Sequence, residues 1–278
     1  MVKKNRITVG TIVNGIVIIL LLGLTFFPFL VMINMSLKPN VMTTTDFFGL
    51  PHPIYWINFV KAFRFVIRPI GNSLFVCIIS LIGILIAVSL SGYTFGRMKF
   101  KGRNVLFMSV LAVMMIPYTL LIVPNYEIVA KLGLLNSFSS LIIPYISGQQ
   151  IFGIILAEAF FHDMPKDMFE AAKIDGANEV QQFTRIALPL SKPILITVGI
   201  TAVVAMYNDY IWPTITMTGS DELKTFCQIV FNNAAGKGSN DLGLIAASFI
   251  IGTIPLLIVT SCCLKYYVQG MMVGAVKG

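Results

Sequence analysis

Charge is scarce in this sequence. Asp, Glu, Lys and Arg make up 12% of its 278 residues and hydrophobic residues 56%, whereas about 25% of a soluble globular domain is charged. That shortage, with a mean hydropathy of +0.85, excludes a soluble domain and implies a polytopic membrane protein. Long basic runs are missing too: the net charge of +8 is spread over short clusters between apolar runs and forms no basic face, which argues against nucleic-acid binding. Only four cysteines occur, Cys77, Cys227, Cys262 and Cys263. They lack metal-ligand spacing, and three sit inside apolar runs where a small polarizable residue packs. The two histidines, His52 and His162, fall in loops on opposite sides, and Glu158 and Asp209 near opposite ends of their spans, so no acid, base or metal groups converge as an intramembrane enzyme requires. A GxxxxGK[ST] phosphate loop is absent as well, so nucleotide chemistry cannot come from this chain. The N-terminus has Lys3, Lys4 and Arg6 before an apolar run, but that run is too long for a signal peptide and has no small-residue cleavage site; it reads as a retained span.

What is present is a series of apolar runs. A helix crossing a hydrocarbon core of about 30 Å needs about 20 apolar residues, and six stretches qualify: residues 7–37, 69–96, 104–126, 132–157, 193–218 and 242–264. Within them the spans are placed at about 10–33, 70–93, 105–124, 141–160, 194–217 and 242–265, all in a single transmembrane domain over residues 1–278. Because every backbone polar group must be satisfied inside lipid, these are helices, giving an all-α membrane protein with six transmembrane helices. Pro117, Pro124, Pro144 and Pro255 lie in or beside spans and should kink them. With the N-terminus inside, thirteen Lys and Arg fall on inner segments and seven, including Lys38, on outer ones, which puts both termini in the cytoplasm. The outer stretch 38–68 holds Trp56, Tyr55, Phe59 and Phe63, suited to the headgroup interface or to a docking partner.

One polar insert breaks the pattern. Nine formally charged residues fall between Asp163 and Lys192. Asp163 and Pro165 suit the first turn of a short helix, Gly176 suits its end, and Asn178 with Gln181 forms a capping-box pattern that starts a second helix carrying Val180, Phe183, Ile186 and Ala187, ended by Pro189 and Pro193. A cytoplasmic helix-turn-helix over residues 163–193 follows. Small Ala171 and Ala172 permit close approach by another surface, and Glu170 offers a charge to a cation on it. An amphipathic helix resting on headgroups is the alternative, opposed by Glu170, Asp175 and Glu179, which would face anionic lipid.

Glu170-Ala171-Ala172 and Asp175-Gly176-Ala177, followed by Phe183, Leu188-Pro189 and Pro193, closely resemble the EAA loop of the permease subunits of bacterial ABC importers. Tyr207-Asn208-Asp209-Tyr210-Ile211-Trp212-Pro213 resembles a segment of the carbohydrate-transporting permeases, with Tyr207 where Trp is commoner. The tail, residues 267–278 with Gln269, Gly270 and Gly274, resembles that of the shorter permease of maltose-type importers. The resemblance implies the type I ABC importer permease fold in a bacterial cytoplasmic (inner) membrane. It implies ATPase coupling through Glu170, Ala171, Ala172, Asp175, Gly176, Ala177, Phe183 and Pro189, and an ATPase-interface role for Gln269, Gly270 and Gly274. The implied partners are a second homologous permease, a dimer of ATP-binding subunits that carries the ATP and magnesium, an extracytoplasmic sugar-binding protein and the bilayer. No cofactor, metal or catalytic residue is assigned to this chain.

Charges inside a bilayer are costly and point to function by default. Glu158, near the inner end of the fourth span, can snorkel or pair with Lys166 or Arg185. Asp209, with Tyr207, Asn208 and Trp212 around it, suits either sugar contacts in a hydrated pathway or a structural bond network. Two readings stand beside a sugar importer: a permease of the same type for a non-sugar solute, and a proton-coupled secondary transporter using Asp209, which leaves the polar insert unexplained.

Overall fold

The computed structural model describes residues 9–234 and 241–275, and the described residues are helical or irregular, with no strand. Four helices are long and apolar enough to cross a membrane unbroken, and two bent helix pairs bring the number to six if each is one span. The chain divides into two compact units, residues 1–66 with 232–253, and residues 67–231 with 254–278.

The first unit holds α1 (Val9–Ser36) and the short α2 (Asn40–Thr45). The most apolar stretch of α1 has no buried residue, as suits a helix whose solvent is lipid. Below it lies a polar knot. Lys38, counted above as an outer-loop charge, is fully buried; its ammonium donates to the carbonyls of Asp46 at 2.6 Å and Phe47 at 3.0 Å. Asn58 donates to the carbonyls of Ser36 at 3.0 Å and Lys38 at 2.8 Å. Gly243 lies against the same knot, where a Cβ would come within 2.5 Å of the Asn58 amide nitrogen and 2.7 Å of the Lys38 carbonyl. Lys38→Met leaves two carbonyls without their donor, and a loss of about 3 kcal/mol is expected, read as a lower unfolding temperature of the purified chain.

The second unit is built on α3 (Ile57–Arg97, from residue 67) and α6 (Ser139–Asp163), with α10 (Lys192–Asn208) packed on α6. Helix α3 continues through Pro69 and starts at Ile57, twelve residues before the run read from sequence; at 41 residues it is about twice the length a hydrocarbon core requires. Gly92 and Gly96, one turn apart on α3, meet α6 backbone to backbone: a Cβ on Gly92 would lie 2.5 Å from Ala157 Cβ, and one on Gly96 would lie 2.8 Å from the Glu158 carbonyl. Small residues at i and i+4 allow such contact between membrane helices.

Two spans expected to be continuous are broken. Residues 105–124 become α4 (Arg103–Met114) and α5 (Tyr118–Lys131), bent by 101°. Pro117 has no N–H and its ring disfavours helical backbone at Ile116, so the chain turns there. Residues 194–217 stop being helical at Asp209; α10 ends at Asn208 and α11 (Ile211–Thr216) begins afresh. The carboxylate of Asp209 accepts from the N–H of Ile211 at 2.9 Å and of Trp212 at 3.3 Å, bonds that compete with continuation of α10. Helix α12 (Phe226–Asn232) follows, and α13 (Leu242–Ala275) closes the chain. The tail residues Gln269, Gly270 and Gly274 fall on its last turns; their side-chain surroundings lie outside the described residues.

Candidate functional site

The polar insert folds as the local signals require, with three differences. Helix α7 (Lys166–Ile174) ends in a Schellman motif: Gly176 has φ of +82°, Ala177 N donates to Ala172 O at 2.9 Å and Gly176 N to Lys173 O at 3.1 Å, closing carbonyls the helix leaves open. Helix α8 (Glu179–Gln182) starts with the capping box, Asn178 and Gln181 bonding each other's backbone N–H at 2.9 Å. The first difference is at Asp163, which ends α6 instead of capping α7, whose N-cap is Pro165. The second is at Pro189, which does not end the second helix. A π turn over Phe183–Ala187 precedes the final turn α9 (Leu188–Leu190), widening the helix where the proline ring would press on the Arg185 carbonyl. Glu158 is the third. It pairs with neither Lys166 nor Arg185 but with Arg103 at 3.1 Å, because Gly102, at φ +84°, turns the chain so that Arg103 lies against α6.

The insert is fastened to the apolar helices through one tyrosine. Tyr93 of α3 is buried, and its ring meets Phe161 of α6 at 5.7 Å between centroids, Phe169 of α7 at 6.5 Å and Phe183 at 5.1 Å. The Arg97 guanidinium stands 4.0 Å from the Phe169 ring centroid and donates to the Met164 carbonyl at 3.2 Å. Opposite this clamped side, α7 is open: Ala171, Asp175 and Gly176 are exposed, Ala172 and Ala177 partly so, and Ile174 is 87% exposed; Glu170, also exposed, stands on the flank between the two sides. Glu170 makes no ion pair among the described residues. Helix α7 is thus gripped on one face and bare on the other, with an apolar tip at Ile174. Phe183 belongs to the clamp, and Pro189 is exposed.

A second feature is a cavity of about 640 Å³ lined by Tyr118, Asn125, Gln149, Asn208 and Asp209 among others. Asp209 is tied down on three sides, by Ile211 N, Trp212 N and the Tyr145 hydroxyl at 3.0 Å, so much of its acceptor capacity is already used. Asn208 faces the same cavity and gives its amide to the Val204 carbonyl at 2.8 Å. Trp212 is fully buried, with its indole N–H on the Ser140 carbonyl at 2.9 Å, and Tyr207 is buried against Phe226. Of the four residues proposed for a substrate pathway, then, two line the cavity and two pack behind it. Asn125 and Gln149 share the lining, and sequence reading passed them over because a lone amide in an apolar run carries no periodic signal. Tyr93 and Arg97 were passed over likewise, whereas Gly92 and Gly96 could have been found as a small-xxx-small pair.

Long apolar helices interrupted by one polar insert make this a multi-pass membrane protein. Residues 79–273 match the family described as the binding-protein-dependent transport system inner membrane component, and the chain belongs to that family. It is 28% identical over 283 residues to the trehalose/maltose transport system permease protein MalG of Thermococcus litoralis, covering 99% of this chain and 98% of that one. It is 27% identical over 248 residues to the arabinooligosaccharides transport system permease protein AraQ of Halalkalibacterium halodurans, covering 88% and 84%. A chain in the crystal structure of a bacterial ABC transporter involved in the import of the acidic polysaccharide alginate superposes with a TM-score of 0.78 at 21% identity, over 95% of this chain and all of that one. The fold is that of an ABC importer permease. The chain is a permease subunit rather than an enzyme, and in such systems separate subunits hydrolyse the ATP.

Proposed function

We propose that this permease moves a sugar or oligosaccharide inward by alternating access, with six spans, both termini in the cytoplasm, and coupling to two ATPase subunits through α7 and the turn at Gly176. A second permease and an extracytoplasmic binding protein complete the assembly, and the ATPase subunits hold ATP and magnesium. The observation that carries this reading is the contrast across α7, with Phe169 clamped by Tyr93 and Arg97 while Ala171, Ile174 and Asp175 on the other side are exposed. A push on such a helix passes into α3 and α6 instead of being absorbed by a loose loop. The sugar class is supported by relatives named for trehalose, maltose and arabinooligosaccharides. Asn125, Gln149 and Asn208 around the Asp209 cavity supply the neutral donors and acceptors that sugar hydroxyls take.

In energised cells or vesicles, uptake should fall to background when ATP is depleted and persist when a protonophore collapses the proton gradient. Uptake that follows the proton gradient would replace this mechanism with proton coupling through Asp209.

A further inference from the structure

Three neighbouring cavities run from the clamped insert onto the outer face of α4. The first, about 540 Å³, is lined by Arg97, Lys99, Arg103, Lys166 and Lys173, with Glu170 and Glu179 as the carboxylates among its lining residues. It shares Lys99 and Arg103 with a second space of about 360 Å³, which shares Asn104 and Val105 with a third, of about 430 Å³, that continues past Met108 to Ala112. Arg103 is already paired with Glu158. Lys99, Lys166 and Lys173 have no carboxylate within 4.0 Å among the described residues. Helix α4 has no buried residue; Val105 is 71% and Met108 64% exposed.

With Arg103 matched by Glu158, four cations facing two carboxylates still leave an excess of positive charge, which calls for an anion. The groove continuing from it is apolar and open, which calls for hydrocarbon. A free phosphate satisfies only the first demand and a neutral lipid only the second, whereas an anionic phospholipid satisfies both. We infer that this surface binds one anionic phospholipid of the cytoplasmic leaflet, its phosphate among Lys99, Lys166 and Lys173 and an acyl chain along Val105 and Met108 of α4. The leaflet rests on the cytoplasmic placement proposed above. A lipid held there touches both the docking helix and the turn into α4, so membrane composition would bear on coupling.

The test is native mass spectrometry of the full-length chain, purified in detergent with its co-expressed subunits and titrated with dioleoyl-phosphatidylglycerol, dioleoyl-phosphatidylcholine or inorganic phosphate. Saturable retention of one phosphatidylglycerol is expected, about tenfold or more tighter than phosphatidylcholine. That preference should disappear in the Lys99→Gln/Lys166→Gln/Lys173→Gln variant, and Met108→Asp should weaken retention with the cations intact. Equal retention of the two lipids, an unchanged preference in the triple variant, or displacement of the lipid by equimolar inorganic phosphate would each overturn the inference. Binding in detergent does not depend on sidedness. Labelling of Lys101→Cys by an impermeant reagent from outside the cell would therefore overturn the cytoplasmic placement separately.

Discussion

Deletion of residues 171–176 is expected to abolish uptake while leaving the chain in the membrane. The deleted residues form the last turn of α7 and the reversal at Gly176, whose backbone bonds run from Ala177 N to Ala172 O and from Gly176 N to Lys173 O. None of the helices able to cross the membrane passes through this segment, so insertion and span packing should survive. What disappears is the exposed surface of Ala171, Ile174, Asp175 and Gly176 that a partner subunit would grip. Two point variants separate docking from transmission. Gly176→Val keeps the charge and has open space around the new side chain, but forces a β-branched residue into left-handed backbone, at about 1–2 kcal/mol; it should lower uptake partially. Phe169→Ala keeps the docking face but empties the clamp between Tyr93 and Arg97, costing about 3 kcal/mol of packing. That variant should bind ATPase subunits and hydrolyse ATP without proportionate uptake. Transport of a labelled sugar, membrane abundance by immunoblot and ATPase rate on the same vesicles give the three readouts. Undiminished uptake after the deletion would remove the coupling role of this loop.

The apolar helices and the insert's caps were legible because each depends on local signals: long runs free of charge, a glycine where the backbone must turn left-handed, and an Asn-x-x-Gln box. Chain breaks inside apolar runs were not. Pro117 read as a kink and proved a 101° turn, since hydropathy measures whether a segment prefers lipid and says nothing about whether it is straight. Asp209 read as either a sugar ligand or a structural bond network, and the structure gives it three internal donors at the edge of a cavity, so both readings keep part of their force. Glu158 was matched with the wrong partner because Arg103 reaches it only through the reversal at Gly102. Tyr93, the residue to which the insert is fastened, lies inside an apolar run where an aromatic looks like any other lipid-facing or core residue. Contacts between distant segments leave no local trace, and the fastening of the insert consists of such contacts.

The tightest of these distant contacts predicts the second large effect. Gly92 and Gly96 hold α3 against the backbone of α6 at Glu158, the residue paired with Arg103, and beside Phe161 of the aromatic clamp. A side chain on Gly96 would meet the Glu158 carbonyl at 2.8 Å and His162 N at 3.0 Å, atoms of a helix backbone that cannot swing aside as a side chain could. The helices must part instead. Gly96→Leu and Gly92→Leu should each cost about 3 kcal/mol or more through overpacking, and the double variant should fail to accumulate as folded protein. Gly71, on the same helix, has nothing within 4 Å of an added Cβ, so Gly71→Ala should be neutral or stabilising by up to about 1 kcal/mol from helix propensity alone. Thermal unfolding of the three purified variants in one detergent checks the order. The smaller change Gly96→Ala is the more informative about function: one methyl displaces α6 just where Phe161 supports Tyr93, so coupling should fail before folding does. Uptake in that variant should therefore drop more steeply than its unfolding temperature, and parallel losses would mean that the seam serves stability alone.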